Sequence, residues 1–113
     1  MPTLAVGLAG DDSLFGDAGD DCLVGGGGDD WLAGGTGRDS LGGGAGDDVL
    51  IGGPDADSIA AVGGSNRVKA GAGNDAVNVR NKRADRVDCG AGRDSVKADR
   101  RDRLRGCEKR SRR

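Results

Sequence analysis

The sequence predicts an all-β chain built from a nine-residue repeat, on three observations. Glycine recurs at every ninth residue from Gly7 to Gly52, aspartate at every ninth from Asp12 to Asp57, and leucine or isoleucine at the eighth place of each unit. Read from Gly7 the units are GLAGDDSLF, GDAGDDCLV, GGGGDDWLA, GGTGRDSLG, GGAGDDVLI and GGPDADSIA, aligned without a gap. A short fixed period marks an array in which each unit contacts only its neighbours. Glycines at the first, second and fourth places permit backbone angles and close approaches that side chains would block. A three-residue strand at the end of each unit would leave one central side chain, the eighth, pointing inward.

Met1–Val6 is a short lead-in, and residues 7–60 hold the six regular units. Residues 61–106 keep the rhythm and lose the spelling. Ala61–Lys69 retains Gly64 and Val68 but carries Asn66 in the aspartate slot, and Ala70–Asn78 retains Gly71, Gly73, Asp75 and Val77. An extra residue then shifts the next unit, placing Asp85 and Val87 in the equivalent positions. Cys89–Lys97 restores Gly90, Gly92, Asp94 and Val96, a shortened last unit offers Asp102 and Leu104, and residues 107–113 read as a basic tail. The predicted inward column is Leu14, Leu23, Leu32, Leu41, Leu50, Ile59, Val68, Val77, Val87, Val96 and Leu104. That is a thin core for a chain with 24 glycines. Small domains so placed draw on a metal or a disulfide.

The repeats resemble the RTX, or haemolysin-type, calcium-binding nonapeptides of secreted bacterial proteases, lipases and toxins, closely over residues 7–60. The resemblance implies a right-handed parallel β-roll, a two-sheet β-solenoid with two nonapeptides per turn, here ending in an irregular C-terminal cap. Residues two units apart would then stack, with Asp12, Asp30 and Asp48 along one edge and Asp21, Asp39 and Asp57 along the other. Two carboxylates ~5 Å apart repel by ~3 kcal/mol at an effective dielectric of 20, and a divalent cation between them reverses the sign. Carboxylates and backbone carbonyls are hard oxygen donors in number, which suits calcium better than magnesium. There is no histidine, and the three cysteines lack the paired spacing of a structural zinc site.

The family's ligand rule takes carbonyls from the first and third places of one loop, from the second and fourth places of the loop two units on, and both sixth-place aspartates. Carried over, one site uses Gly7, Ala9, Asp12, Gly26, Gly28 and Asp30. The same rule groups Gly16, Ala18, Asp21, Gly35, Gly37 and Asp39; then Gly25, Gly27, Asp30, Gly44, Gly46 and Asp48; then Gly34, Thr36, Asp39, Gly53 and Asp57. Asp57 with Asp75 makes a fifth, so four to five calcium ions are expected. The Asp48–Asn66 pair lacks a charge, and Asp55 replaces the fourth-place glycine, which puts its turn in question. The fifth-place acids Asp11, Asp20, Asp29 and Asp47 read as solvated charge.

Charge divides along the chain. Residues 1–60 carry twelve aspartates and one base, Arg38, against sixteen bases and seven acids in residues 61–113. The basic end reads as a solvated cap. A nucleic-acid partner is disfavoured, since Phe15 and Trp31 are the only aromatic residues available to stack on bases. Cys89 and Cys107 are separated by two nonapeptide lengths, one circuit of such a roll, and are expected to form a disulfide. Cys22 is left over in an outward slot.

With neither histidine nor tyrosine, and with its aspartates explained by the repeat, the chain reads as a non-enzyme. No Gly-Lys-Ser/Thr follows the glycine-rich turns, and no apolar stretch is long enough to span a membrane. Met1–Val6 is too short for a secretion signal. Phe15, Trp31, Val49 and Ile51 fall on one outward face, a candidate surface for self-association or docking. The expected role is calcium binding by a secreted, extracellular roll that folds on the metal. The competing roles are a structural or adhesive surface module and the detached calcium-binding domain of a larger secreted hydrolase or toxin.

Overall fold

A computed structural model describes residues 4–7, 10–44, 46–61, 63–79, 85–90, 92, 94–98, 103–105 and 109–112. In chain order the strands are β1 (Leu4–Val6), β2 (Ser13–Phe15), β3 (Cys22–Val24), β4 (Trp31–Ala33), β5 (Ser40–Gly42), β6 (Val49–Ile51) and β7 (Ser58–Ala60). They continue as β8 (Arg67–Lys69), β9 (Ala76–Asn78), β10 (Arg86–Asp88), β11 (Ser95–Ala98), β12 (Arg103–Arg105) and β13 (Lys109–Arg112). Odd-numbered strands form a seven-stranded sheet and even-numbered strands a six-stranded sheet. Every pairing among the described strands is parallel, so the chain is a two-sheet β-solenoid, as the resemblance to RTX repeats implies. The lead-in contributes β1 and the basic tail contributes β13.

Each turn of the regular half spans two nonapeptides, from Leu4↔Cys22 to Ser58↔Ala76. The extra residue of the degenerate half lengthens the turn by one position, at Arg67↔Arg86 and Ala76↔Ser95. The turn then contracts, slightly at Arg86↔Arg103 and further at Ser95↔Lys109, which is the irregular cap. Three-residue strands are short, but the ladder grips them at both ends. Trp31 N–H donates to Asp12 O (2.8 Å) and Gly16 N–H to Ala33 O (2.9 Å), and this pattern repeats up the roll.

The inward column lies where the sequence places it. Leu23, Leu32, Leu41, Leu50, Ile59, Val68, Val77, Val87 and Val96 are buried, and Leu14 and Leu104 pack against them partly exposed, near the two ends of their sheet. Ala61, Ala70, Val79 and Cys89 join the core from the first place of their units, where the regular units have glycine. Pro54 and Asp55 do not disrupt their turn. Asp55 takes the left-handed angle (φ 77°) that its slot requires, as Asp17 does at a second place (φ 67°). Aspartate tolerates that region better than most residues with a side chain.

Candidate metal centre

The aspartates of the sixth place line the edges of the roll, immediately before each strand. Asp21, Asp30, Asp39, Asp48, Asp57 and Asp75 are buried, and Asp12, in the first regular loop, is half-buried. From Asp30 onward one oxygen of each carboxylate serves the backbone. Asp30 Oδ1 accepts from Asp12 N–H (2.8 Å) and Asp48 Oδ1 from Asp30 N–H (2.8 Å) along one edge. On the other edge, Asp39, Asp57 and Asp75 accept in the same way from Asp21, Asp39 and Asp57 (3.0, 2.9 and 2.8 Å). The stacking of aspartates two units apart is therefore realised as a hydrogen-bonded ladder.

The second oxygen has no such partner. Oδ2 of Asp12, Asp30, Asp39, Asp48, Asp57, Asp75 and Asp94 is buried without a hydrogen bond. Further oxygen lies beside it. A methyl group built on Gly25 would sit 2.6 Å from Asp30 Oδ2 and 2.7 Å from Gly43 O, so both oxygens crowd that glycine and exclude a side chain. Asp12 Oδ2 and Gly25 O crowd Gly7 in the same way, as Asp57 Oδ2 and Ala70 O crowd Gly52. At the second and fourth places, Gly44 lies on Gly26 O, Gly46 on Gly28 O and Gly53 on Gly35 O, leaving no room for a side chain. Gly16, Gly34 and Gly37 make equivalent close approaches. Ala18, Gly27 and Thr36 occupy the third places of described loops, whereas Ala9 lies outside the described residues.

Burial of acids beside acids shows in their titration. Asp39 and Asp48 are raised to about 6, and Asp57 and Asp75 to about 7, from an ordinary 3.8. Desolvation is the largest cause; the donated backbone N–H offsets part of it, and neighbouring carboxylates add to it. No group of three or more His, Cys, Asp or Glu side chains gathers among the described residues. A cation here would be held by a few carboxylates completed by main-chain carbonyls, which is calcium's donor set.

Asn66 tests that fit from within the chain. It accepts from Asp48 N–H through Oδ1 (2.7 Å), as an aspartate would. Its Nδ2 occupies the place of the second oxygen and donates to Gly63 O (2.6 Å) and Ala61 O (3.3 Å), the third- and first-place carbonyls of its own loop. The loop therefore aims carbonyl oxygens at a point where a positive group belongs. An aspartate in that slot would turn an acceptor toward those carbonyls, a conflict that a cation would resolve.

The fifth-place acids do more than the sequence suggests. They are exposed, as expected of solvated charge, yet they form a second ladder running in the opposite sense. Asp11, Asp20, Asp29 and Asp47 accept through Oδ1 from the N–H of Asp29, Arg38, Asp47 and Ser65 (2.8, 2.9, 2.8 and 2.8 Å). The two-unit spacing of Asp11, Asp29 and Asp47 was the available signal. Asp55 joins this surface by accepting from Gly37 N–H (2.9 Å).

Fold and loops together define a repeat solenoid whose turns are built around cations. The model of the RTX calcium-binding nonapeptide repeat (4 copies) matches residues 4–32, 24–59 and 51–79. These segments cover more than half of the chain, which belongs to that family and binds calcium through its β-roll. No curated protein and no solved structure matches the chain.

Proposed function

We propose that this chain is an extracellular calcium-binding module whose roll folds when the metal binds. The observation that carries the reading is the row of buried, unpartnered Oδ2 atoms on Asp12, Asp30, Asp39, Asp48, Asp57, Asp75 and Asp94. A buried acceptor left without a donor costs roughly 1–3 kcal/mol, and more when charged. Seven of them amount to on the order of 10 kcal/mol, as much as the whole stability of a typical domain. Calcium removes that penalty and adds binding energy of its own. At a hundredfold excess over the dissociation constant each site contributes ~2.7 kcal/mol.

The stacked pairs Asp12–Asp30, Asp30–Asp48, Asp21–Asp39 and Asp39–Asp57 give four ions, and Asp57–Asp75 a fifth. The role is binding and not catalysis, since the aspartates serve the loops and the chain has no histidine. An oxidising exterior also suits a Cys89–Cys107 disulfide closing the degenerate end. Cys89 is buried there, and Cys107 lies outside the described residues. Peptide mapping of unreduced protein tests that link. Far-UV circular dichroism tests the main reading. A disordered spectrum in chelator that becomes β-rich in millimolar calcium supports it, and an unchanged β spectrum after chelation refutes metal-driven folding.

A second reading, an adhesive or self-associating surface, is favoured by one feature of the six-stranded sheet. Phe15 and Trp31 remain 55% and 38% exposed while packing edge to face with centroids 5.2 Å apart. Val49 and Ile51 extend that patch on the next strand. Light scattering in calcium separates the readings. A wild-type dimer that Trp31→Lys dissociates supports association through this face, and a monomer at high concentration removes it.

A further inference from the structure

Of the ten sixth-place residues described, from Asp12 to Asp94, nine are aspartate and one is Asn66. Loss of charge alone would make this a weakened metal loop. Its hydrogen bonds make it something else. Asn66 keeps both ladder contacts of an aspartate slot, accepting from Asp48 N–H (2.7 Å) and donating its own N–H to Asp85 Oδ1 (2.6 Å). Its remaining polar atom is a donor held by Gly63 O at 2.6 Å and Ala61 O at 3.3 Å. The amide orientation is fixed by the network, because the atom facing Asp48 N–H must accept and the atom facing two carbonyls must donate.

We infer that Asn66 is a built-in substitute for a calcium ion, closing loop 61–66 without metal and ending the array of sites along its edge of the roll. Where an aspartate loop leaves a buried carboxylate oxygen without a donor, this loop supplies an N–H in its place. A cation there would lose the Nδ2 position as a ligand and would be repelled by its partial positive charge. The opposite edge carries aspartate through the corresponding turn, with Asp57 N–H bonded to Asp75 Oδ1 (2.8 Å) and Asp75 Oδ2 unpartnered. The two edges of the roll therefore differ in metal content. One stops at Asp48, and the other continues past it.

The inference rests on calcium binding by the roll, and the test separates the two. Bound calcium is counted by native mass spectrometry on the full chain, for the wild type, Asn66→Asp and Asp48→Asn. Asn66→Asp restores the acceptor and should add one ion. Asp48→Asn plants the same amide in a metal loop, so it should lose one ion yet keep its β spectrum in calcium. An Asn66→Asp chain that folds in calcium with the wild-type ion count overturns the substitution. If Asn66→Asp does not fold, an Asp48→Asn count equal to wild type overturns it. A wild type that binds no calcium defeats the calcium reading itself, and the substitution with it.

Discussion

Acid should return to the calcium-free chain part of the structure that chelation takes away. In the folded roll Asp39 and Asp48 titrate at about 6, and Asp57 and Asp75 at about 7, against 3.8 for the same groups in the open. The folded state therefore binds protons more tightly than the unfolded one. The calcium-free roll is favoured below the unfolded value and loses that advantage as pH rises through the folded values. At pH 7 a carboxyl raised to about 6 opposes folding by roughly 3 kcal/mol, and several such groups act in the same direction. Protonation does more than remove charge, since a neutral Oδ2–H can donate to loop carbonyls as Asn66 Nδ2 does. The assay is a pH titration in chelator, followed by circular dichroism and Trp31 emission. β signal should grow as pH falls from about 8 to about 4, with its midpoint near the raised values. In calcium the sign reverses, because the proton competes with the ion, so the calcium midpoint should rise on acidification through the same window. A chelated chain equally disordered at both ends of the titration would show that the buried carboxylates do not control folding.

Two further outcomes test the loops directly. Gly46→Ala places a side chain at φ 97° against Gly28 O and should cost more than ~1 kcal/mol, lowering the melting temperature in calcium by at least about 4 °C. Gly42→Ala meets nothing within 4 Å and should shift it little, so equal shifts would contradict the packing. Asp30 belongs to two stacked pairs and Asp12 to one, so Asp30→Ala should lose two bound ions and Asp12→Ala one. Equal losses in mass-spectrometric counts would contradict the stacking register.

Most of the fold was legible because period and family likeness complement each other. The nine-residue unit spaces the inward residues and the likeness to RTX repeats supplies two units per turn, which together put Leu23, Leu41 and Ile59 in one column. The degenerate half was legible in strand order, because Val68, Val77, Val87 and Val96 hold the inward slot even where the glycines fail. What periodicity could not supply was the use of each atom within a slot. It marked sixth-place aspartates as metal ligands, whereas in Asp30, Asp39, Asp48, Asp57 and Asp75 one oxygen accepts from the backbone of the preceding turn and the other has no donor. The fifth-place acids read as solvent-facing charge because exposure and hydrogen bonding to the backbone of the next turn are compatible. Asn66 read as a decayed ligand for a similar reason. Swapping one oxygen for nitrogen changes acceptor to donor without changing shape, and only the carbonyls of Ala61 and Gly63 reveal which was wanted. The decay of the repeat toward the C-terminus is therefore not simple loss. Where the first-place glycine fails, Ala61, Ala70, Val79 and Cys89 add buried apolar surface, while Asp75, Asp85 and Asp94 keep the sixth place acidic. The C-terminal half therefore gains apolar core without giving up its sixth-place carboxylates, Asn66 excepted.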